Sequence, residues 1–230
     1  MSMYKEIELI LKDKHQESGV GEIENFLHAK EVSSAIITME EFFQACKHYP
    51  IVFSKNEKEG WFALALLGLK NRNIFVDEKG KWKKECYIPA YIRRYPFIFV
   101  QNDKELLLGF DAQHKVSKEE AGSRYFFDEN GEKTEFVDNV LQFMNQVQHS
   151  SQQTKKFIET LDEMGLLEAS TLHGTNKQGE EISLNGFWVL NEEKLNKTTQ
   201  KNRTRLCKQN YMQPITAHLI SLSNIANLSR

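Results

Sequence analysis

The chain of 230 residues carries 30 basic and 32 acidic side chains, a formal net charge of -2, so no overall field draws it to nucleic acid or to an anionic membrane surface. With 40% apolar and 27% charged residues, 12 glycines and only 4 prolines, it reads as a soluble globular protein able to bury a substantial core, with disorder confined to its ends. Cys46, Cys86 and Cys207 form no C-x-x-C pair and suit neither a disulfide framework nor a zinc site; they read as free thiols in a reducing compartment.

The first eight residues bring acidic side chains where a secretory signal would need a basic start and an unbroken apolar run, and the longest apolar window, residues 61–67, is too short to span a bilayer. The cytoplasm is therefore the expected location. Residues 4–11 read as a strand with a distant partner, and residues 12–24 as a polar connection. Residues 38–48 read as a helix, capped by Thr38 with Glu41 at the capping-box position, and carrying Phe42, Ala45 and Cys46 on one face. Tyr49-Pro50 stops it, because the residue before proline is pushed out of the helical region. Strands are expected at 51–53, 61–69 and 74–76, the last followed by the turn Asp77-Glu78-Lys79-Gly80.

The densest stretch is the run from Tyr87 to Val100, which packs aromatic residues, Pro89 and Pro96 around the adjacent Arg93 and Arg94. Two guanidinium groups in such a run must reach a surface, an interface or a carboxylate. The same run also opens what reads as a second copy of residues 38–82. A short helix ends at Tyr95-Pro96 as the first ends at Tyr49-Pro50, Phe97-Ile98-Phe99 follows as Ile51-Val52-Phe53 does, Gly109 answers Gly68, and Asp128-Glu129-Asn130-Gly131 answers Asp77-Glu78-Lys79-Gly80. Residues 38–82 and 87–133 are thus expected to be internal repeats of a helix-strand-strand-strand unit, pairing into one continuous sheet or a barrel-like sandwich.

From Thr134 the period becomes helical, with Phe136, Val137, Val140, Leu141, Met144 and Val147 on one face and Phe157, Ile158, Leu161 and Met164 continuing it. One long bent helix or two consecutive helices would fit, ended by Gly165. A hairpin turning at 177–180 follows, then a strand at 187–190, a short helix capped by Asn191, a basic stretch at 197–210 and a final helix from Pro214. The fold class is α+β: a largely antiparallel sheet from two repeated units within a single domain over 1–230, with 134–230 packed on them as the helical and hairpin part.

Several of these stretches carry a family likeness. Glu41 to Phe53, Ala65 to Leu69, Phe75-Val76-Asp77, the motif Tyr87-Ile88-Pro89-Ala90-Tyr91-Ile92-Arg93-Arg94-Tyr95-Pro96-Phe97, Gly186 to Leu195, and Ala217 to Leu222 resemble the SapC family over nearly the whole chain. That resemblance implies a bacterial origin and an association with surface-layer protein export, and it carries over no catalytic residue.

Catalytic templates are missing from the sequence. There is no G-x-S-x-G, phosphate-binding loop, dinucleotide glycine fingerprint or H-E-x-x-H, and the seven histidines never fall at metal-ligand spacing, so neither a cofactor nor a metal is expected. The reading that follows is a non-enzymatic binding or accessory protein that recognises an extended polypeptide connected with surface-layer export. Arg93 and Arg94 would grip a carboxylate, and Tyr91, Tyr95, Tyr49 and Trp61 would offer contact area. A plainer alternative pairs one arginine with Asp77 or Asp128 and buries the aromatics. The rival class is an enzyme acting on a small molecule or peptide in a cleft lined by Arg93, Tyr49, Tyr95 and a histidine. His218 reads as a packing residue of the last helix.

Overall fold

Ile51, Val52 and Phe53 are each wholly buried, which a strand achieves only when both faces and both edges are covered. The computed structural model describes residues 3–69, 71–102, 105–118, 120, 122–175 and 181–228, apart from the side chains of 172–175 and 181–184. In chain order the elements begin with β1 (Ile7–Leu9), α1 (Lys12–His15), β2 (Ser18–Val20), β3 (Ser34–Ile37), α2 (Phe42–Ala45), β4 (Ile51–Asn56) and β5 (Gly60–Leu66). Then come α3 (Ala90–Arg93), β6 (Phe97–Gln101), β7 (Leu106–Asp111), β8 (Lys115–Ser117) and β9 (Arg124–Tyr125). The remainder holds α4 (Glu135–Glu163), β10 (Leu167–Thr175), β11 (Glu181–Leu190), α5 (Glu192–Lys197), α6 (Gln200–Lys208) and α7 (Met212–Ser221).

The strands form antiparallel sheets ordered β10-β11-β4-β5-β3, β1-β7-β6 and β8-β2-β9. The fold is α+β as the sequence indicates, but the hairpins β4-β5 and β6-β7 lie in separate sheets rather than one continuous one. The reason is edge occupancy: β11 covers the open side of β4 and β3 that of β5, so β6-β7 instead recruits the N-terminal strand β1. The local geometry of the two hairpins still runs parallel. Leu66 N–H donates to Pro50 O at 2.9 Å and Asp111 N–H to Pro96 O at 2.9 Å, so Leu66 and Asp111 hold matching places. Gly68 and Gly109 do not, because Gly109 pairs with Ile98 inside β7 whereas Gly68 lies beyond the end of β5.

The strands expected after each hairpin are single bridges, Val76 to Trp82 and Phe127 to Lys133. Their turns are closed by backbone bonds and, in addition, by an aspartate side chain. Asp77 accepts from the N–H groups of Lys79 and Lys81 at 2.9 and 2.8 Å, and Asp128 from those of Asn130 and Glu132 at 2.8 and 2.9 Å. The turn expected at 177–180 lies outside the described residues.

Residues 135–163 form one continuous helix, about 43 Å long at 1.5 Å per residue. Its polar middle does not break it, because Ser150 and Thr154 are buried and bonded. The Thr154 hydroxyl donates to Ser150 O at 2.7 Å and accepts the Met39 N–H at 2.7 Å. Gly165, at φ 68°, ends the helix, with Leu166 N–H returning to Leu161 O and Gly165 N–H to Asp162 O. The helix thereby serves two cores. Its C-terminal half sends Phe157 over the small Ala63 and Ala65 of β5, against Phe42, Phe53 and Tyr211. Its N-terminal half packs Val137, Val140 and Leu141 on Phe97, Phe110, Phe126 and Phe127. A cleft opens beside this second contact.

Candidate functional site

The Tyr87 to Phe97 motif makes only one turn of helix, and neighbouring groups fix it at both ends. Pro89 O accepts from Ile92 and Arg93 N–H, and Phe97 N–H returns to Arg94 O at 2.8 Å, which turns the chain directly into β6. Glu41 anchors the start. One oxygen accepts from Thr38 N–H and hydroxyl at 2.8 and 3.1 Å, completing the expected capping box, while the other accepts Tyr87 OH at 2.9 Å and Ala90 N–H at 2.8 Å. This buried carboxylate links the start of α2 to the start of α3. It places both arginines at the lip of a cleft of about 550 Å³ bounded by residues 20–28, the motif, Arg124 and the first turns of α4.

Arg93, Arg94 and Arg124 line this cleft with Glu22 as its carboxylate. None of the three arginines makes an ion pair among the described residues, and Asp77 and Asp128 are committed to their own turns. Rings hold the guanidiniums instead. Arg93 lies 5.9 Å from the Tyr87 ring and 5.5 Å from that of Phe143, Arg94 lies 4.4 Å from Tyr91 and 5.8 Å from Tyr4, and Arg124 lies 5.6 Å from Phe136. Such contacts fix a cation without neutralising it. Arg93 Nε also donates to Ile88 O at 3.0 Å, whereas Arg94 Nε is buried without a hydrogen-bond partner.

Tyr95 and His28 form the cleft's inner wall, their rings stacked at 4.0 Å and 10°. The Tyr95 hydroxyl donates to Asp111 at 3.0 Å. Burial, reinforced by that bond, raises the Tyr95 pKa, so the group remains a phenol. Asp111 is held below the usual carboxylate range: burial opposes ionisation, but the N–H groups of Lys5, Gln113 and Glu6 and the Tyr95 hydroxyl outweigh it. Burial pushes His28 down to about 4, against the raising effect of a hydrogen bond with the Ile92 backbone, so its ring is neutral at neutral pH. On the far side of His28 and Tyr95 a second cleft of about 590 Å³ opens towards His114, Lys5 and Lys30.

Of the residues singled out in the sequence, Arg93, Arg94 and Tyr95 come together in the cleft, and Tyr91 lies beneath Arg94 as its support. Tyr49 and Trp61 lie elsewhere, in the larger core. Tyr49 is fully buried with its hydroxyl donating to Tyr87 O, and Trp61 donates its indole N–H to Asp162 at 3.0 Å and packs on Trp188. Sequence reasoning missed His28 and Arg124, which no motif marks, and Phe143, and it read Phe136 and Val140 as core-facing without their place in the cleft. A signal for that place existed. Phe143 lies seven residues after Phe136 and three after Val140, on their edge of the apolar arc, so that arc is wide enough to face both the core and the cleft.

His218 is the packing residue expected. It is wholly buried, stacked on Phe53 at 4.5 Å, and accepts the Leu190 N–H at 3.1 Å. Among the described residues no group of three or more His, Cys, Asp or Glu side chains could hold a metal ion, and no helix is long and apolar enough to cross a membrane.

Fold and cleft together describe an α+β protein with an arginine-lined, partly aromatic pocket between a hairpin sheet and a long helix. The chain belongs to the SapC family, whose model matches residues 10–228. No curated protein and no solved structure matches it.

Proposed function

We propose that this protein is a non-enzymatic binding protein, an accessory of surface-layer protein export, that takes a polypeptide in extended form by a carboxylate in the arginine-lined cleft. One observation carries the reading: three guanidinium groups converge on one cleft and none is neutralised by a protein carboxylate among the described residues. A fork of donors already seated on aromatic rings binds a carboxylate with little further loss of side-chain freedom. The apolar faces of Phe136, Val140 and Phe143 would receive the neighbouring side chain. The bounds 38–82 and 87–133 remain our proposed repeat units, the second of which supplies the arginine pair.

Titrating a dye-labelled short peptide that ends in a leucine carboxylate, followed by fluorescence anisotropy, tests this. Arg93→Ala with Arg94→Ala should weaken binding by about tenfold or more, and added salt should weaken binding to the parent protein. Equal binding by parent and double variant would refute the reading. An enzyme acting on a peptide in the same cleft is the second reading, favoured by His28, whose neutral ring lines the cleft beside Arg93, Arg94 and Tyr95. Mass spectrometry of the peptide after prolonged incubation separates the two: it returns intact from a binding protein and altered from an enzyme.

A further inference from the structure

The cleft offers its ligand more than positive charge. Arg94 Nε is a buried donor with no partner. His28 Nε2 is likewise buried without a hydrogen-bond partner; with the other ring nitrogen turned to the Ile92 backbone, Nε2 of the neutral ring is the acceptor. A donor that wants an anion and an acceptor that wants an N–H or O–H therefore belong to two residues that line one cleft.

We infer that the group recognised is the free carboxyl end of a polypeptide: its carboxylate on Arg94 and Arg93, and its last peptide N–H donating to His28. This rests on the proposed function, in which the cleft takes a polypeptide. Three considerations favour a chain end over other anions. A terminal carboxylate has its own amide N–H on the adjoining carbon, so both reach one small site, whereas an Asp or Glu side chain separates carboxylate and N–H by additional rotatable bonds. A fully ionised phosphate brings acceptors only and leaves His28 unused. A volume of about 550 Å³ is that of a pocket enclosing one small ligand, which suits the end of a chain rather than a long segment laid across the surface. Arg124 would then face the penultimate carbonyl, and Phe136 and Phe143 the terminal side chain.

The experiment compares four peptides on the intact protein: dye-labelled Gly-Ala-Leu with a free carboxyl end, its C-terminal amide, an analogue methylated on the last amide nitrogen, and Gly-Asp-Leu amide with only an internal carboxylate. The free acid should bind about tenfold or more tighter than both amides, and methylation should cost about five- to tenfold in the parent protein. His28→Phe keeps a ring to stack on Tyr95, and in it methylation should cost nothing further. If either amide binds as tightly as the free acid, the chain-end inference falls while the polypeptide cleft stands. If none of the four binds, the cleft reading falls with it. Should His28→Phe fail to fold, the parent alone decides, because equal binding of methylated and unmethylated acids overturns the role given to His28.

Discussion

Glu41→Gln is the substitution that most directly tests how the cleft is held in place. The change preserves shape and removes charge, and it replaces one acceptor oxygen by an NH2 donor. Glu41 is 8% exposed, and its two oxygens accept four donors: Thr38 N–H and hydroxyl on one side, Tyr87 hydroxyl and Ala90 N–H on the other. Either hydroxyl can rotate away from a new donor, but the backbone N–H groups cannot. Whichever way the amide turns, one buried N–H then faces an NH2 group, and the other hydrogen bonds lose their charge assistance. An unsatisfied buried donor and weakened partners together cost about 2–4 kcal/mol. For a chain of this size that corresponds to a fall in melting temperature of roughly 5–15 °C. Thermal unfolding by circular dichroism measures the fall, and peptide binding by the surviving folded protein should weaken with it, because the same carboxylate fixes the turn that carries Arg93 and Arg94. A variant melting within about 2 °C of the parent would refute the assignment of Glu41 as the anchor of the motif.

Other outcomes follow from the cores. His218 has a folded pKa of about 4, below its ordinary value near 6.5, so between those pH values the unfolded chain binds more protons and stability falls as the pH is lowered. The full window is worth about 3 kcal/mol, lost on acidification through it, and His28 adds a contribution of the same sign; urea titrations at a series of pH values should show that slope reduced in His218→Gln. Phe157→Ala removes a fully buried ring lodged among Phe42, Phe53 and Tyr211, and should cost about 3–5 kcal/mol in denaturant unfolding.

Local chemistry was legible wherever one or two neighbours decide it. Thr38 with Glu41, Asn191 as a cap accepting the Lys194 N–H, Gly165 as the end of α4, and the Asp77 and Asp128 turns are all written in short spans of residues, and the structure places them as read. What failed to show was tertiary. Ile74-Phe75-Val76 has the composition of a strand, but Phe75 N–H is taken by the Asn73 side chain and only Val76 finds a strand partner. Tyr49 and Trp61 have the character of a contact surface and are buried, because distant segments arrive over them, Phe75 and Tyr87 over Tyr49 and the α4 and β11 residues Asp162 and Trp188 over Trp61. His28 could not be chosen from seven histidines, because its place depends on a ring stack with Tyr95, 67 positions further on by residue number. Arg93 and Arg94 were found more easily, since a charge in an apolar run is conspicuous wherever the chain folds, whereas nothing of that kind marks Arg124.

The arginines also allow folding and binding roles to be told apart. A residue kept for the fold loses stability when replaced, as Glu41 and Phe157 should. Arg93 and Arg124 are exposed, form no ion pair among the described residues and crowd positive charge around one cleft, so their ring contacts of about 0.5–1 kcal/mol each, and in Arg93 the exposed hydrogen bonds to Ile88 O and Tyr87 OH, are offset by mutual repulsion. Arg93→Gln and Arg124→Gln should therefore leave the melting temperature within about 2 °C of the parent, or raise it, while peptide affinity drops several-fold in each. The opposite pattern, a large loss of stability with affinity intact, would make these side chains part of the scaffold and leave the cleft without its anion receptor.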